Sequence, residues 1–175
     1  FLLQKKRRNS FLKKHAKTTI KQNEKFVYFP LQLEPERTLF IPAPFHSDQL
    51  EVISNIAKSL PIDFKLYVKE HPMQIVHAWR DISEYKKILE LPNVELFHPD
   101  LSNEILLENC SLVITITGTT GLEASFYGKP SIILADTIYS ELPSVYRLVN
   151  YEELPLTIRK ALKQEVNIDD VNLFI

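Results

Sequence analysis

The chain has 175 residues, 45% hydrophobic and 25% charged, with a formal net charge of -1, the profile of one ordinary soluble globular domain. That apolar fraction excludes a disordered chain, and only 3 Gly exclude collagen-like or low-complexity structure. A lone cysteine, Cys110, rules out an internal disulfide framework and fits a reducing, cytoplasmic compartment, and no apolar run approaches the ~20 residues that span a bilayer.

Charge is unevenly spread. Residues 1–25 hold nine Lys/Arg against one acid, Glu24, and carry +8, so the remaining 12 bases and 21 acids leave the rest at -9. A basic arm precedes an acidic domain. The arm is either a solvated linker or helix, or a surface for anionic lipid or an acidic partner. Nucleic acid is not expected as a partner, because the acidic body repels phosphate. The chain starts at Phe1 in mid-pattern and its one Met is Met73, so it reads as a piece of something longer.

From Lys25 onward, short β-rich runs alternate with amphipathic stretches. Residues 26–29 read as a strand closed by Pro30, and residues 31–44 as a Pro-rich loop. Ser47 is expected to cap a helix in which Leu50, Ile53, Ile56, Ala57 and Leu60 recur at helical spacing until Pro61. A second strand follows over residues 64–68, then a helix over 79–91 stopped before Pro92. Residues 94–97 form a third strand, and Ser102 caps a short helix carrying Ile105, Leu106 and Leu107.

Residues 112–117, nearly all apolar or β-branched, are predicted to be a central strand buried on both faces. A Gly-Thr turn leads into a helix from Leu122 to about Tyr127, with Gly128 as its C′ residue. Residues 131–134 make a fifth strand, and helix returns near 152–163. This alternation predicts an α/β, Rossmann-like three-layer domain with a parallel sheet over 26–163, preceded by the arm (1–25) and followed by a fraying tail (164–175).

In such a sheet ligands bind beyond the carboxyl ends of the strands. Unusual residues collect there after four strands in turn: Gln32 to Thr38, Lys69-Glu-His-Pro72, His98-Pro-Asp100, and Thr117-Gly-Thr-Thr-Gly121 with Glu123. The last segment suits a phosphate, since glycines and hydroxyls sit where a strand enters a helix, or else it is a plain N-cap with a turn. It is neither a Walker A loop nor Gly-x-Gly-x-x-Gly. Glu123 either complements the helix dipole or holds ribose hydroxyls. His71 either protonates a leaving group or holds its phosphate, the bland alternative being a ring that satisfies a backbone carbonyl.

His98 is read as structural. His71, His77 and His98 form no metal-ligand motif with nearby cysteines or carboxylates, so no metal is expected. No Gly-x-Ser-x-Gly elbow supports a serine hydrolase. Glu34 and Glu36 are a carboxylate pair of a common kind, too weak to indicate glycosidase chemistry.

Tyr28-Phe-Pro-Leu-Gln-Leu-Glu-Pro-Glu-Arg-Thr38, Tyr67-Val-Lys-Glu-His-Pro72 and Ile116-Thr-Gly-Thr-Thr-Gly-Leu-Glu-Ala124 with Gly128-Lys-Pro130 occur in that order. Over residues 26–163 the chain thereby resembles the capsule polysaccharide biosynthesis proteins, glycosyltransferases related to the bacterial Kdo transferases. The resemblance implies one half of a GT-B fold, the half that binds a nucleotide-sugar donor such as CMP-Kdo, with no further cofactor. It implies that His71 with Pro72 and neighbouring Lys69 meet the donor phosphate, that Thr117, Gly118, Thr119, Thr120 and Gly121 cradle it, and that Glu123 lies near the ribose. The Glu34-Pro-Glu36 loop would face the cleft and a glycan or glycolipid acceptor, which makes Glu36 and His71 the catalytic candidates. The arm would connect to the other half or touch an anionic membrane at the inner face. The acceptor half is not in this chain, so donor binding without turnover is expected. The alternatives are a UDP-sugar 2-epimerase-like or CDP-glycerol glycerophosphotransferase-like enzyme, or a non-catalytic Rossmann-like interaction module.

Overall fold

Six short runs of β-branched and aromatic residues pair side by side, all parallel, in the computed structural model, which describes residues 2–33, 48–77 and 80–172. They are β1 (Phe26–Pro30), β2 (Lys65–Lys69), β3 (Val94–Phe97), β4 (Leu112–Thr115), β5 (Ser131–Ile133) and β6 (Val145–Arg147), in the order β3-β2-β1-β4-β5-β6. The helices are α1 (Leu2–His15), α2 (Gln49–Ser59), α3 (Gln74–His77), α4 (Ile82–Leu89), α5 (Asn103–Asn109), α6 (Thr120–Phe126), α7 (Leu154–Ala161) and α8 (Asp169–Asn172). This is the doubly wound, three-layer arrangement expected. Its switch point falls between β1 and β4, where the winding reverses and a crevice opens at the carboxyl ends.

Side chains alternate across the sheet with period two, and the two faces bury different sets. Val27, Phe29, Leu66, Val68, Leu112 and Ile114 pack against α2, α4 and α7. Phe26, Tyr28, Tyr67, Phe97 and Val113 face α5 and α6 with Leu106, Leu107 and Ala124. Every residue of β4 is buried, as its composition and central place require.

The arm is a helix that belongs to this body. Leu12 of α1 is buried, Phe11 stacks on Tyr85 at 6.1 Å, and Arg8 pairs with Asp81 at 2.6 Å. The chain then runs along the open edge of β3, where the Lys17 N–H donates to the Leu96 carbonyl and the His98 N–H to the Lys17 carbonyl, both at 2.8 Å. An otherwise bare sheet edge is thus partly covered.

Local chemistry moves several boundaries. Ser47 lies outside the described residues, and α2 is capped by Asp48, whose carboxylate accepts from the Leu50 and Glu51 N–H groups at 2.9 and 3.2 Å. The helix expected from residue 79 starts at Ile82, where Glu84 reaches back to the Asp81 N–H at 3.0 Å. The helix expected from Leu122 starts two residues earlier at Thr120, and Gly128 takes the left-handed φ of 66° that its C′ position favours. Strand β6 was not expected, because three residues show no measurable alternation. Val171 is buried in the single turn α8, within the stretch expected to fray.

Candidate functional site

At the end of β1, Pro30 lacks an N–H and pairing stops after the Leu31 N–H donates to the Lys69 carbonyl at 2.9 Å. Gln32 is buried and held through its backbone. Its N–H donates to Gln49 Oε1 at 2.8 Å, and its carbonyl accepts from Gln49 Nε2 at 3.1 Å and Arg80 Nη2 at 3.3 Å. Two N–H donors converge on its side-chain amide, which orients the oxygen toward them: Thr117 N at 2.8 Å and Gly118 N at 2.9 Å.

The end of β2 is organised by Glu70, whose side chain is wholly buried. One oxygen accepts from Arg80 Nε at 2.9 Å and the Tyr85 hydroxyl at 2.6 Å, the other from the His71 N–H at 2.7 Å. Burial, with the Glu70 charge beside it, pushes the Tyr85 phenol far up, so it stays a proton donor. His71 is half-buried, and its Nδ1 accepts from the Met73 N–H at 3.2 Å. That bond puts the ring proton on Nε2.

Lys69 ends β2 on the other face. It is 4% exposed, and its ammonium donates to Asn103 Oδ1, which also accepts from the Tyr28 hydroxyl at 3.1 Å. Among the described residues no carboxylate pairs with it. Desolvation lowers its pKa, opposed by the more distant charges of Asp100 and Glu123.

After β4, the Thr115 hydroxyl accepts from the Gly118 N–H at 3.1 Å, and Tyr139 donates its hydroxyl proton to the Gly118 carbonyl. Both glycines are packing requirements: a Cβ on Gly118 would lie 2.8 Å from Thr115 Oγ1, and one on Gly121 would lie 2.7 Å from the Tyr139 hydroxyl. The Thr119 hydroxyl donates to Glu123 at 2.9 Å. His98 is buried at the end of β3, where its Nδ1 accepts from the Asp100 N–H at 3.3 Å.

These ends enclose two adjoining clefts of about 290 and 320 Å³, with Pro30, Leu31, His71, Thr119 and Thr120 common to both. Gln32, Thr117 and Gly118 line the first; Tyr28, Lys69, Pro72, Asn103 and Glu123 line the second. Lys69, His71, Pro72, Thr117, Gly118, Thr119, Thr120 and Glu123 therefore converge at the switch point. Gly121 lies beneath, against Tyr139, and Glu36 is outside the described residues. Gln32, Asn103 and Tyr28 were not anticipated as lining residues, and Arg80 and Gln49 were not anticipated as their supports. Only Gln32 carried a signal, its place in the first rim loop. Among the described residues no group of three His, Cys, Asp or Glu could hold a metal ion, and no helix is long and apolar enough to cross a membrane.

Comparison with known proteins gives a consistent picture. Residues 2–142 match the family profile described as capsule polysaccharide biosynthesis protein. The match takes in the basic helix and stops before β6, beginning and ending earlier than the resemblance expected over residues 26–163. The capsule polysaccharide modification protein LipB of Neisseria meningitidis serogroup A is 28% identical over 127 residues, covering 69% of this chain and 30% of LipB. Among solved structures, KpsC of Thermosulfurimonas dismutans, a beta Kdo 2,7 transferase, superposes with a TM-score of 0.61 at 14% identity, over 99% of this chain and 52% of KpsC. The UDP-GlcNAc 2-epimerase of Methanocaldococcus jannaschii gives 0.60 at 18% identity, over 91% and 43%. The chain thus spans under a third of LipB and about half of the KpsC chain. These likenesses identify the fold as one Rossmann-like half of the GT-B type.

Proposed function

The chain belongs to the capsule polysaccharide biosynthesis family, and from that premise we propose that it is the donor-binding half of a glycosyltransferase, taking a nucleotide-activated sugar such as CMP-Kdo. The observation that carries the reading is Lys69: a buried ammonium with a neutral amide for a partner, at the base of a cleft on the topological switch point. Burying a cation without a counter-ion is costly, and an arriving phosphate offsets that cost.

In the proposed reaction an acceptor hydroxyl bonds to the anomeric carbon while the bond from that carbon to the phosphate oxygen breaks. The electron pair leaves with the nucleotide phosphate, where the Lys69 ammonium and the Nε2–H of His71 meet the growing charge. Thr119 and Thr120 form the shared wall, where the Thr120 hydroxyl adds a donor, and Pro72 shapes the second cleft. Glu123 is half-buried, and its second oxygen is open to ribose hydroxyls. Glu36 is proposed to take the acceptor's proton. Lys5, Lys6, Arg7, Lys13 and Lys14 of α1 form no ion pair among the described residues, which supports contact with anionic lipid near a glycolipid acceptor.

The test is a thermal-shift series with CMP, CDP, UDP and GDP, alongside His71→Ala. A ligand that binds only the folded chain stabilises it by about 2.7 kcal/mol at a hundredfold excess over its dissociation constant. Stabilisation by CMP that the variant loses is the expected outcome. Stabilisation by UDP alone would overturn the CMP-sugar in favour of epimerase-like chemistry, and indifference to all four nucleotides would overturn donor binding by this chain.

A further inference from the structure

The Thr117–Gly118 turn is expected to present its backbone N–H groups to an anion, yet both already have an acceptor. The Gln32 amide oxygen lies 2.8 Å from Thr117 N and 2.9 Å from Gly118 N, and the Thr117 hydroxyl is within 3.2 Å of the same atom. The Gly118 N–H is further shared with Thr115 Oγ1 at 3.1 Å. A neutral amide oxygen therefore stands where a phosphate oxygen would otherwise bind.

Its carrier is not free to leave. Gln32 is anchored from α2 by both hydrogen bonds to Gln49, itself 1% exposed, and from the β2 side by Arg80, whose guanidinium also holds Glu70. One residue thus ties together the ends of β1, β2 and β4 with α2. Swinging its side chain out would leave the Thr117 N–H without that acceptor and the Gly118 N–H with Thr115 Oγ1 alone, unless the arriving ligand replaced it.

We infer that Gln32 is a positioning and specificity-determining residue: a built-in cap that closes the Thr117 and Gly118 amides to the donor phosphate and confines that phosphate to the Lys69–His71 side of the cleft. The assignment rests on the donor-binding reading above. It also accounts for an amide at this position. A carboxylate would satisfy the same N–H groups equally well, but it would set a negative charge beside the phosphate.

Amide-resolved NMR of the chain tests this, with CMP as the probe. Without nucleotide, the Thr117 and Gly118 amides are expected to exchange slowly with solvent, and Gln32→Ala to speed exchange about tenfold at Thr117 and less at Gly118, which keeps Thr115 Oγ1. Unchanged exchange in the variant overturns the cap. On saturation with CMP, resonances of His71 and Asn103 are expected to move while those of Thr117 and Gly118 stay in place. Movement of both amides together with release of the Gln32 side-chain NH2 makes Gln32 a placeholder that ligand displaces, and overturns the assignment.

Gln32→Glu supplies a separate readout. It is expected to retain slow exchange and to bind CMP about tenfold more weakly, by like-charge repulsion. Retained affinity in that variant overturns the confinement of the phosphate. If CMP moves no resonance at all, the donor-binding reading fails and the confinement with it, whereas the exchange comparison still decides the cap.

Discussion

The two ends of the parallel sheet handle charge in opposite ways. At the amino end and along the neighbouring edge, Lys21 with Glu24 and Glu95, and Lys25 with Asp63, pair at 2.9 to 3.3 Å, the lysines and Asp63 exposed and the two glutamates half-buried. Water screens such pairs and side-chain entropy opposes them, so they contribute little. At the carboxyl end of β2 the charges are taken out of water. Arg80 and Glu70 are almost wholly buried against each other, while Lys69, two residues before His71, is buried against a neutral amide. The contrast separates two arrangements: pairs that water screens, and a buried pair that builds the rim beside a buried cation whose partner is a neutral amide.

The sharpest way to break this comparison is Arg80→Ala. It strands the Glu70 carboxylate and releases the Gln32 carbonyl, at an expected cost of about 3–5 kcal/mol in urea denaturation. A loss comparable with that of a surface substitution would mean that the pair does not build the rim.

Lys69→Met discriminates next. Replacing a buried unpaired ammonium with an apolar side chain of similar length is expected to leave stability unchanged or raise it by about 1 kcal/mol. The same variant should lose most of its affinity for CMP. Parallel losses of stability and affinity would make Lys69 a structural residue. In the unsubstituted chain, CMP affinity is expected to fall as pH rises through a Lys69 pKa depressed below the ordinary 10.5, because the charged form is the one that binds phosphate. The lowered value also means that the unfolded chain holds this proton more tightly. Stability from this group alone therefore rises with pH between the depressed value and 10.5.

Smallest is Lys25→Gln, which removes an exposed partner of Asp63. Its urea midpoint should match the parent's within error, with or without added salt. A measurable drop would show that the amino end is more than a solvated surface.

What residue order alone determines here is everything with a short period. Strands β1 to β5 and helices α2, α4, α5, α6 and α7 follow from apolar spacing, Pro stops and a Gly C′ residue, to within two or three residues at their ends. The α/β class follows from their alternation. The carboxyl-end rule then brings His71, Lys69 and the Thr117–Thr120 turn together, although they lie some fifty residues apart in the chain. Strand β6 escaped, because three residues carry too little pattern and the strand exists by pairing with β5. The basic arm showed no stripe, and its place is decided by Leu12, Phe11 and the open edge of β3.

The rest of the site depends on distances that no local pattern encodes. Glu70 reads like any acid beside a His-Pro dipeptide, and it becomes the buried centre of a network only when Arg80 and Tyr85 arrive from α4 and the turn before it. Asn103 is the first residue of an ordinary helix until Lys69 and Tyr28 point at it from two strands. Gln32 reads as a loop residue, and its 85-residue reach to Thr117 comes from the winding that sets β4 beside β1. Secondary structure answers to short-range sterics and apolar periodicity, which lie in neighbouring residues. Which polar group is buried, and with which partner, is settled only when the packed sheet removes water from both.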